Sequence, residues 1–166
     1  MTDVIAALAT YQGQYRGEGV NHEAEPFIGE MNVQQVVNTK GISVRYTATG
    51  LNRTVYHEEH TVIGPGAKGT AVLWTLNSNA PSVLEHGLRF DGTDADGMRQ
   101  IVFGYGDPND ETRFRETITL ELFSDGTLGY HYAWGMAGGT FRKRSGLMLI
   151  PLLKAAPSTA IEPVNH

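Results

Sequence analysis

The sequence predicts an all-β fold, an antiparallel up-and-down barrel of about ten strands with a short N-terminal helix. Apolar residues alternate with a period of two from Tyr11 onward, turn residues recur about every ten residues, and no crossover helix separates the runs. Twenty glycines among 166 residues exceed the ~7% of an average chain, and most end an apolar run. Closure into a barrel would remove the exposed edges of such a sheet.

The helix is predicted from Asp3 to about Thr10, with Thr2 or Asp3 as its cap, because apolar residues recur there at helical spacing. The candidate strands are 13–22, 28–38, 42–49, 54–63, 69–77, 82–91, 98–105, 112–123, 127–136 and 146–153. Glycine, asparagine, aspartate and proline separate them. We expect a single β-barrel domain over residues 1–156 and a disordered C-terminal tail over 157–166.

The composition excludes several classes of protein. The net charge is −5 and no basic patch with interleaved aromatic residues occurs, so no nucleic-acid partner is expected. Cysteine is absent, which excludes disulfides and thiolate metal sites. The first residues lack the features of a signal peptide, and no apolar run reaches the ~20 residues of a membrane span. We expect a cytoplasmic protein without membrane insertion. The sequence does not decide whether the protein forms a homodimer.

The larger apolar set of each alternating strand is expected to face the barrel interior. The expected inward residues are Ile42, Val44, Tyr46 and Ala48; Val72, Trp74 and Leu76; Leu84, His86, Leu88 and Phe90; Ile101, Phe103 and Tyr105; Phe114, Glu116, Ile118, Leu120 and Leu122; and Leu128, Tyr130, Tyr132, Trp134 and Met136. The fourth strand is ambiguous, with either Val55, His57, Glu59 and Ile63 or Tyr56, Glu58, His60 and Val62 inward. The arginines expected on outer faces are Arg45, Arg89, Arg113 and Arg115.

An interior rich in tyrosine, tryptophan and phenylalanine, with a few polar groups, is typical of a small-molecule pocket. Ten strands leave more room than a compact eight-stranded barrel. We therefore predict that the interior binds a small, largely hydrophobic molecule; the alternative is a structural or interaction domain with a filled core. The predicted ligand-binding residues are Tyr46, Trp74, His86, Phe103, Tyr105, Glu116, Tyr132 and Trp134.

Three segments carry a family resemblance: Gly13-Gln14-Tyr15-Arg16-Gly17-Glu18-Gly19, Phe27-Ile28-Gly29-Glu30 and Tyr132-Ala133-Trp134-Gly135-Met136. They resemble strands of the calycin-type barrels, the group of nitrobindin-like, lipocalin-like and fatty-acid-binding proteins, over about residues 11 to 153. The resemblance implies a ten-stranded barrel with an internal cavity, which in nitrobindins holds haem on a histidine of the last strand. Residues 146–153 contain no histidine, so the haem role does not carry over and no cofactor is expected.

His86 and Glu116 are the polar residues most suited to chemistry, because each lies within an inward apolar face. Burial without a partner would cost ~1–3 kcal/mol, so each should bond a tyrosine, a water or the other. The seventh strand separates them by about 10 Å, which favours a water or ligand bridge over direct contact. The pair would suit a small barrel enzyme, an isomerase, lyase or hydrolase, and whether the protein is an enzyme stays open.

The run His57-Glu58-Glu59-His60 differs from the zinc-protease motif, which needs two residues between its glutamate and second histidine, on a helix. On a strand, His57 and His60 point to opposite sides, whereas His57 and Glu59 share a face. Two ligands make a poor metal site. No metal is therefore expected here, and the run is interpreted as a solvated or hydrogen-bonded strand.

Overall fold

The computed structural model describes residues 3–152 and contains a closed antiparallel barrel preceded by one short helix, so the predicted fold class is confirmed. The elements are α1 (Val4–Ala9), β1 (Gly13–Val20), β2 (Pro26–Val36), β3 (Gly41–Gly50), β4 (Val55–Pro65), β5 (Ala71–Asn77), β6 (Leu84–Thr93), β7 (Arg99–Tyr105), β8 (Arg115–Leu122), β9 (Leu128–Gly135) and β10 (Arg142–Pro151). The predicted tail over 157–166 and the domain boundary at 156 lie outside the described residues. No helix within residues 3–152 has the length and apolarity to cross a membrane.

Each strand pairs with its neighbour in the sequence, and β1 closes the barrel against β10. Asp3 caps α1 by accepting a hydrogen bond from the backbone N–H of Ile5. The buried apolar side of this helix lies at the end of the barrel where β1 begins, which we call the helix end. The loops 21–25, 51–54, 78–83, 106–114 and 136–141 lie at the opposite, open end.

Apolar side chains fill the middle of the barrel and its helix half. Those with at most 3% of their surface exposed include Ile42, Val44, Ile63, Leu73, Ile101, Phe103, Ile118, Leu120, Leu128 and Leu149. With Phe27, Met31 and Val33 of β2, which are equally buried, these side chains come from every strand of the wall except β1 and β6. This packed half anchors the strands that carry the open end.

The predicted inward faces of β3, β8 and the buried part of β9 are confirmed. On β4 the first alternative is correct for His57, Glu59 and Ile63, whose neighbours Glu58 and His60 are exposed. Val55 is the exception, with 54% of its surface exposed. A bulge at Tyr56 causes this, because Thr49 pairs with Val55 directly after Ala48 pairs with His57.

The prediction for β5 is wrong: Leu73, Thr75 and Asn77 face inward, and Trp74 lies on the outer wall. The sequence favours Val72, Trp74 and Leu76 as the inward set because their side chains are larger and more apolar. Pairing decides instead, since Thr75 lies opposite Thr61 of β4 and their hydroxyls hydrogen-bond at 2.9 Å inside the barrel. The outer position still satisfies the Trp74 indole, whose Nε1 donates to Glu85 at 2.8 Å.

Two further expectations need correction. Phe90 is half exposed rather than inward, because a bulge at Arg89 shifts the pairing of β6 with β7. Arg115 does point away from the barrel interior, yet only 1% of its surface is exposed because loops of the open end cover it. An outward position on a strand therefore does not mean a solvated side chain where loops fold back over the wall.

Gly17 lies at the seam between β1 and β10, where a Cβ atom would overlap the carbonyl oxygen of Met148. We expect Gly17→Ala to lower the free energy of unfolding by ~1–3 kcal/mol, because backbone on both strands must move, as measured by urea denaturation. Gly87 on β6 is the matched control, since no atom lies within 4 Å of where its Cβ would stand. Equal stability of Gly17→Ala and Gly87→Ala would contradict this account.

Candidate functional site

The open half of the barrel contains a cavity of about 730 Å³ that opens between the loops of the open end. This volume lies within the ~300–1,000 Å³ of small-molecule sites. Aromatic side chains supply much of its wall: Phe27, Tyr46, Tyr56, Phe114, Tyr132 and Trp134. Polar groups reach it from several strands and loops: His57, Asn77, Asn79, Glu116, Arg144 and Ser145. The wall therefore suits an amphipathic molecule.

The eight residues predicted to bind a ligand occupy different places. Tyr46, Glu116, Tyr132 and Trp134 line the cavity. His86 and Phe103 are fully buried on the inner faces of their strands and do not line the cavity. Tyr105 is 37% exposed and lines a separate, smaller depression of about 390 Å³ that Phe114 also borders, and Trp74 lies on the outer wall.

A buried carboxylate, Glu59 on β4, is the centre of a hydrogen-bonded group that we call the Glu59 cluster, formed by His57, Glu59, Thr61, Tyr130 and Tyr132. The hydroxyls of Tyr130 and Tyr132 donate to its two oxygens. His57 Nε2 lies 2.9 Å from one oxygen and Thr61 Oγ1 lies 3.4 Å from the other. Glu59 is 4% exposed, and within residues 3–152 no lysine or arginine pairs with it.

The tyrosines of this region remain protonated donors. Burial raises the pKa of Tyr130 and of Tyr132 well above the ordinary value of 10, and the negative charge of Glu59 raises both further. Burial, followed by the charge of Glu59, also raises the pKa of Tyr46. Neutral hydroxyls therefore compensate the carboxylate in place of a cation.

His57 connects the Glu59 cluster to the cavity. The Asn79 side-chain amide lies 3.1 Å from its Nδ1, and the same amide nitrogen is 3.5 Å from the Tyr56 carbonyl oxygen. Because the amide N–H₂ donates, Nδ1 accepts, and Nε2 carries the proton that points to Glu59. The sequence indicated that His57 and Glu59 share a face, but nothing in it indicated that two tyrosines of β9 would complete the cluster.

His86 and Glu116 contact each other directly, with 2.8 Å between Nε2 and Oε1. Each therefore has the partner that the sequence predicts, without the expected bridge. Both stand beside Tyr105 of β7. Glu116 lies opposite Tyr105 on β8. On β6, Gly87 lies opposite Gly104, so the preceding residue, His86, is next to Tyr105. The two side chains meet across β7 at the open end of the barrel, where they come closer than the strand spacing suggests.

Arg144 on β10 lies at the rim of the cavity and was missed by the sequence analysis. A bulge between Lys143 and Ser145 interrupts the alternation there. The guanidinium carbon of Arg144 lies 4.3 Å from the ring centre of Trp134. Nε and Nη2 donate to the carbonyl oxygens of Trp134 and Thr140 at 3.1 and 3.0 Å. No signal in the sequence marks this bulge, so the residue was assigned no role.

The haem arrangement that the resemblance implies does not fit this barrel. The strand that would supply the ligand, β10, has no histidine, and its buried residues are Leu147 and Leu149. Ser145 is its residue beside Arg144 on the cavity wall. Among residues 3–152, no group of three or more histidine, aspartate or glutamate side chains is placed to hold a metal ion.

Comparison with known proteins supports the fold. No protein-family model and no curated protein sequence matches the chain. Among solved structures, the crystal structure of Rv2717c from M. tuberculosis is similar, with a TM-score of 0.66, 13% sequence identity, and coverage of 90% of this chain and 97% of that chain. The architecture is consistent with a calycin-like barrel. At this identity the likeness concerns the fold alone.

Proposed function

We propose that this protein binds a small, largely hydrophobic molecule in the cavity at the open end of the barrel. One observation carries the proposal: apolar side chains fill the helix half, whereas the open half keeps about 730 Å³ of space behind an aromatic wall. A completely filled core, as in a purely structural domain, would leave no such space. The resemblance to calycin-type barrels, which implies a barrel with an internal cavity, supports the same proposal.

The two tryptophans allow a direct test, because Trp134 lines the cavity and Trp74 lies outside it. Trp74→Phe leaves Trp134 as the only tryptophan. Titration of this variant with decanol, a neutral amphiphile, should give a saturable change in Trp134 emission at a one-to-one stoichiometry. Trp134→Phe, which keeps Trp74, is the control and should show no saturable change. Native mass spectrometry of the purified protein identifies any molecule that it retains.

A space-filling variant locates the binding. Ala48 is buried and faces the cavity, so Ala48→Phe in the Trp74→Phe background should fill part of it and weaken decanol binding by ~10-fold or more. Circular dichroism verifies that the barrel remains folded. Absence of saturable binding, or binding that Ala48→Phe leaves unchanged, would refute the proposal.

Catalysis is the second candidate function, favoured by one observation. Glu116 lines the cavity while a buried histidine bonds its other side, an arrangement that suits a general base. For an isomerase, lyase or hydrolase, Glu116→Gln or His86→Phe should lower turnover by ~10²-fold or more. For a binding protein, the same variants should change only affinity or stability.

A further inference from the structure

Glu116 presents an unpartnered carboxylate oxygen at the cavity. The residue is 6% exposed and belongs to the cavity wall. Its Oε1 bonds His86, and no other hydrogen bond from a described residue reaches the carboxylate. Among the described residues, the fully buried side-chain nitrogen and oxygen atoms without a partner are His86 Nδ1 and His131 Nδ1, so Glu116 Oε2 is not sealed in the wall but open to the cavity. Glu116 Oε2 can therefore accept a hydrogen bond from a donor group of a ligand.

The neighbouring histidine holds one oxygen of Glu116 and leaves the other to the cavity. His86 is fully buried, and its Nδ1 has no hydrogen-bond partner among the described residues. A proton on Nδ1 would be a buried N–H without an acceptor, which costs ~1–3 kcal/mol. The neutral ring, with its single proton on Nε2 directed to Glu116, avoids that cost. Glu116 then accepts from His86 through Oε1 and presents Oε2 to the cavity.

Most of the charged side chains around the cavity are acidic. Glu23 and Glu25 line its entrance, and Glu59 lies buried beneath it with neutral donors only. Of the described residues that line the cavity, Arg144 is the single lysine or arginine. Two of its three guanidinium nitrogens already donate to backbone carbonyls, and its plane covers Trp134. The cavity as a whole therefore favours a cation.

Aromatic residues are neighbours of Glu116 along its own chain segment and on β9. Trp134 lies directly opposite Glu116 on β9, and Phe114 precedes it by two residues and lines the same cavity. Tyr132 completes this part of the wall. Arg144 already covers one face of Trp134, so Phe114 and Tyr132 are the rings best placed to attract an organic cation, by ~0.5–1 kcal/mol or more. All three rings can pack against an apolar chain.

We propose that the cavity selects organic cations: a protonated amine of the ligand donates to Glu116 Oε2, and its apolar body packs against Phe114, Tyr132 and Trp134. This inference rests on the proposed ligand-binding function and specifies the chemical class of the ligand. Hydrogen bonds to charged groups contribute more than neutral ones, so the amine supplies affinity as well as orientation.

Three amphiphiles of equal chain length test the selection: decylamine, decanol and decanoate, each titrated at neutral pH against the Trp74→Phe protein with Trp134 emission as the readout. We expect decylamine to bind ~10-fold or more tightly than decanol, and decanoate to bind weakest. Glu116→Gln should abolish the difference in affinity between decylamine and decanol. Glu121→Gln is the matched control, because Glu121 lies on the outer face of β8 and pairs with His131.

The outcomes separate this inference from the proposed function. If none of the three molecules binds, the ligand-binding function itself fails. If all bind equally, or if decanoate binds best and loses its advantage in Arg144→Gln, the barrel binds ligands but the choice of a cation is wrong. The ranking in the Trp74→Phe protein decides the matter even if Glu116→Gln does not fold.

Discussion

Replacement of Glu59 by glutamine should lower the free energy of unfolding by about 3 kcal/mol, as measured by urea denaturation. The carboxylate accepts hydrogen bonds from Tyr130, Tyr132, His57 and Thr61. An amide places an N–H₂ group against two of these donors, and their buried positions leave them no room to find other acceptors. Loss of a buried partner costs ~1–3 kcal/mol for a neutral group and more for a charged one.

Glu58→Gln is the control for this substitution, because Glu58 is the exposed neighbour of Glu59 on the same strand. It should change stability by less than ~0.5 kcal/mol. Tyr130→Phe and Tyr132→Phe each remove one donor and should give intermediate losses of ~1 kcal/mol. If Glu59→Gln is as stable as Glu58→Gln, the cluster does not stabilise the barrel.

Arg115→Met should lower the free energy of unfolding by ~3 kcal/mol or more and should disorder two loops of the open end. The guanidinium donates to the carbonyl oxygens of Met136 and Gly139 at 2.8 and 2.7 Å, with longer contacts to those of Arg113 and Pro108. Methionine retains the apolar stem but leaves these buried carbonyls without donors. Since Phe114 and Met136 also line the cavity, ligand affinity should fall together with stability.

Arg113→Met controls for the loss of a positive charge from the same segment, because the Arg113 side chain is exposed. Hydrogen exchange of the loops 106–114 and 136–141 measures the local effect. Exchange that is equally slow in the two variants would show that the Arg115 guanidinium is not what holds these loops against the wall.

The architecture could be predicted because the evidence for it is local and repeated. Alternation and turn residues identify each strand independently, and an error in one strand leaves the barrel intact. The faces were less certain because a single inserted residue reverses them. The bulges at Tyr56 and Arg89 moved Val55 and Phe90 to the outside, and a bulge has no distinct composition.

The candidate site was predictable only where a polar residue interrupts an apolar face. Glu116 and His86 do so, and the structure joins them. The Glu59 cluster depends on which strands lie across the barrel from one another, since Tyr130 and Tyr132 are about seventy residues from Glu59 in the chain. Arg115 bonds backbone carbonyls of loops, and Arg144 bonds one carbonyl of β9 and one of a loop. Such bonds to the backbone leave no trace in the pattern of side chains.

The pairing of β1 with β10 has a consequence for how the protein folds. All other strand pairs join neighbours in the sequence and can form as local hairpins, whereas Gly19 must find Leu147 across almost the whole chain. Closing such a loop is slow, because its entropic cost precedes the contacts that repay it. On the ribosome, β1 therefore waits with an unpaired edge until β10 has been made. A circular permutant that joins the two strands by a short hairpin would make this last step local and should fold faster than the parent chain.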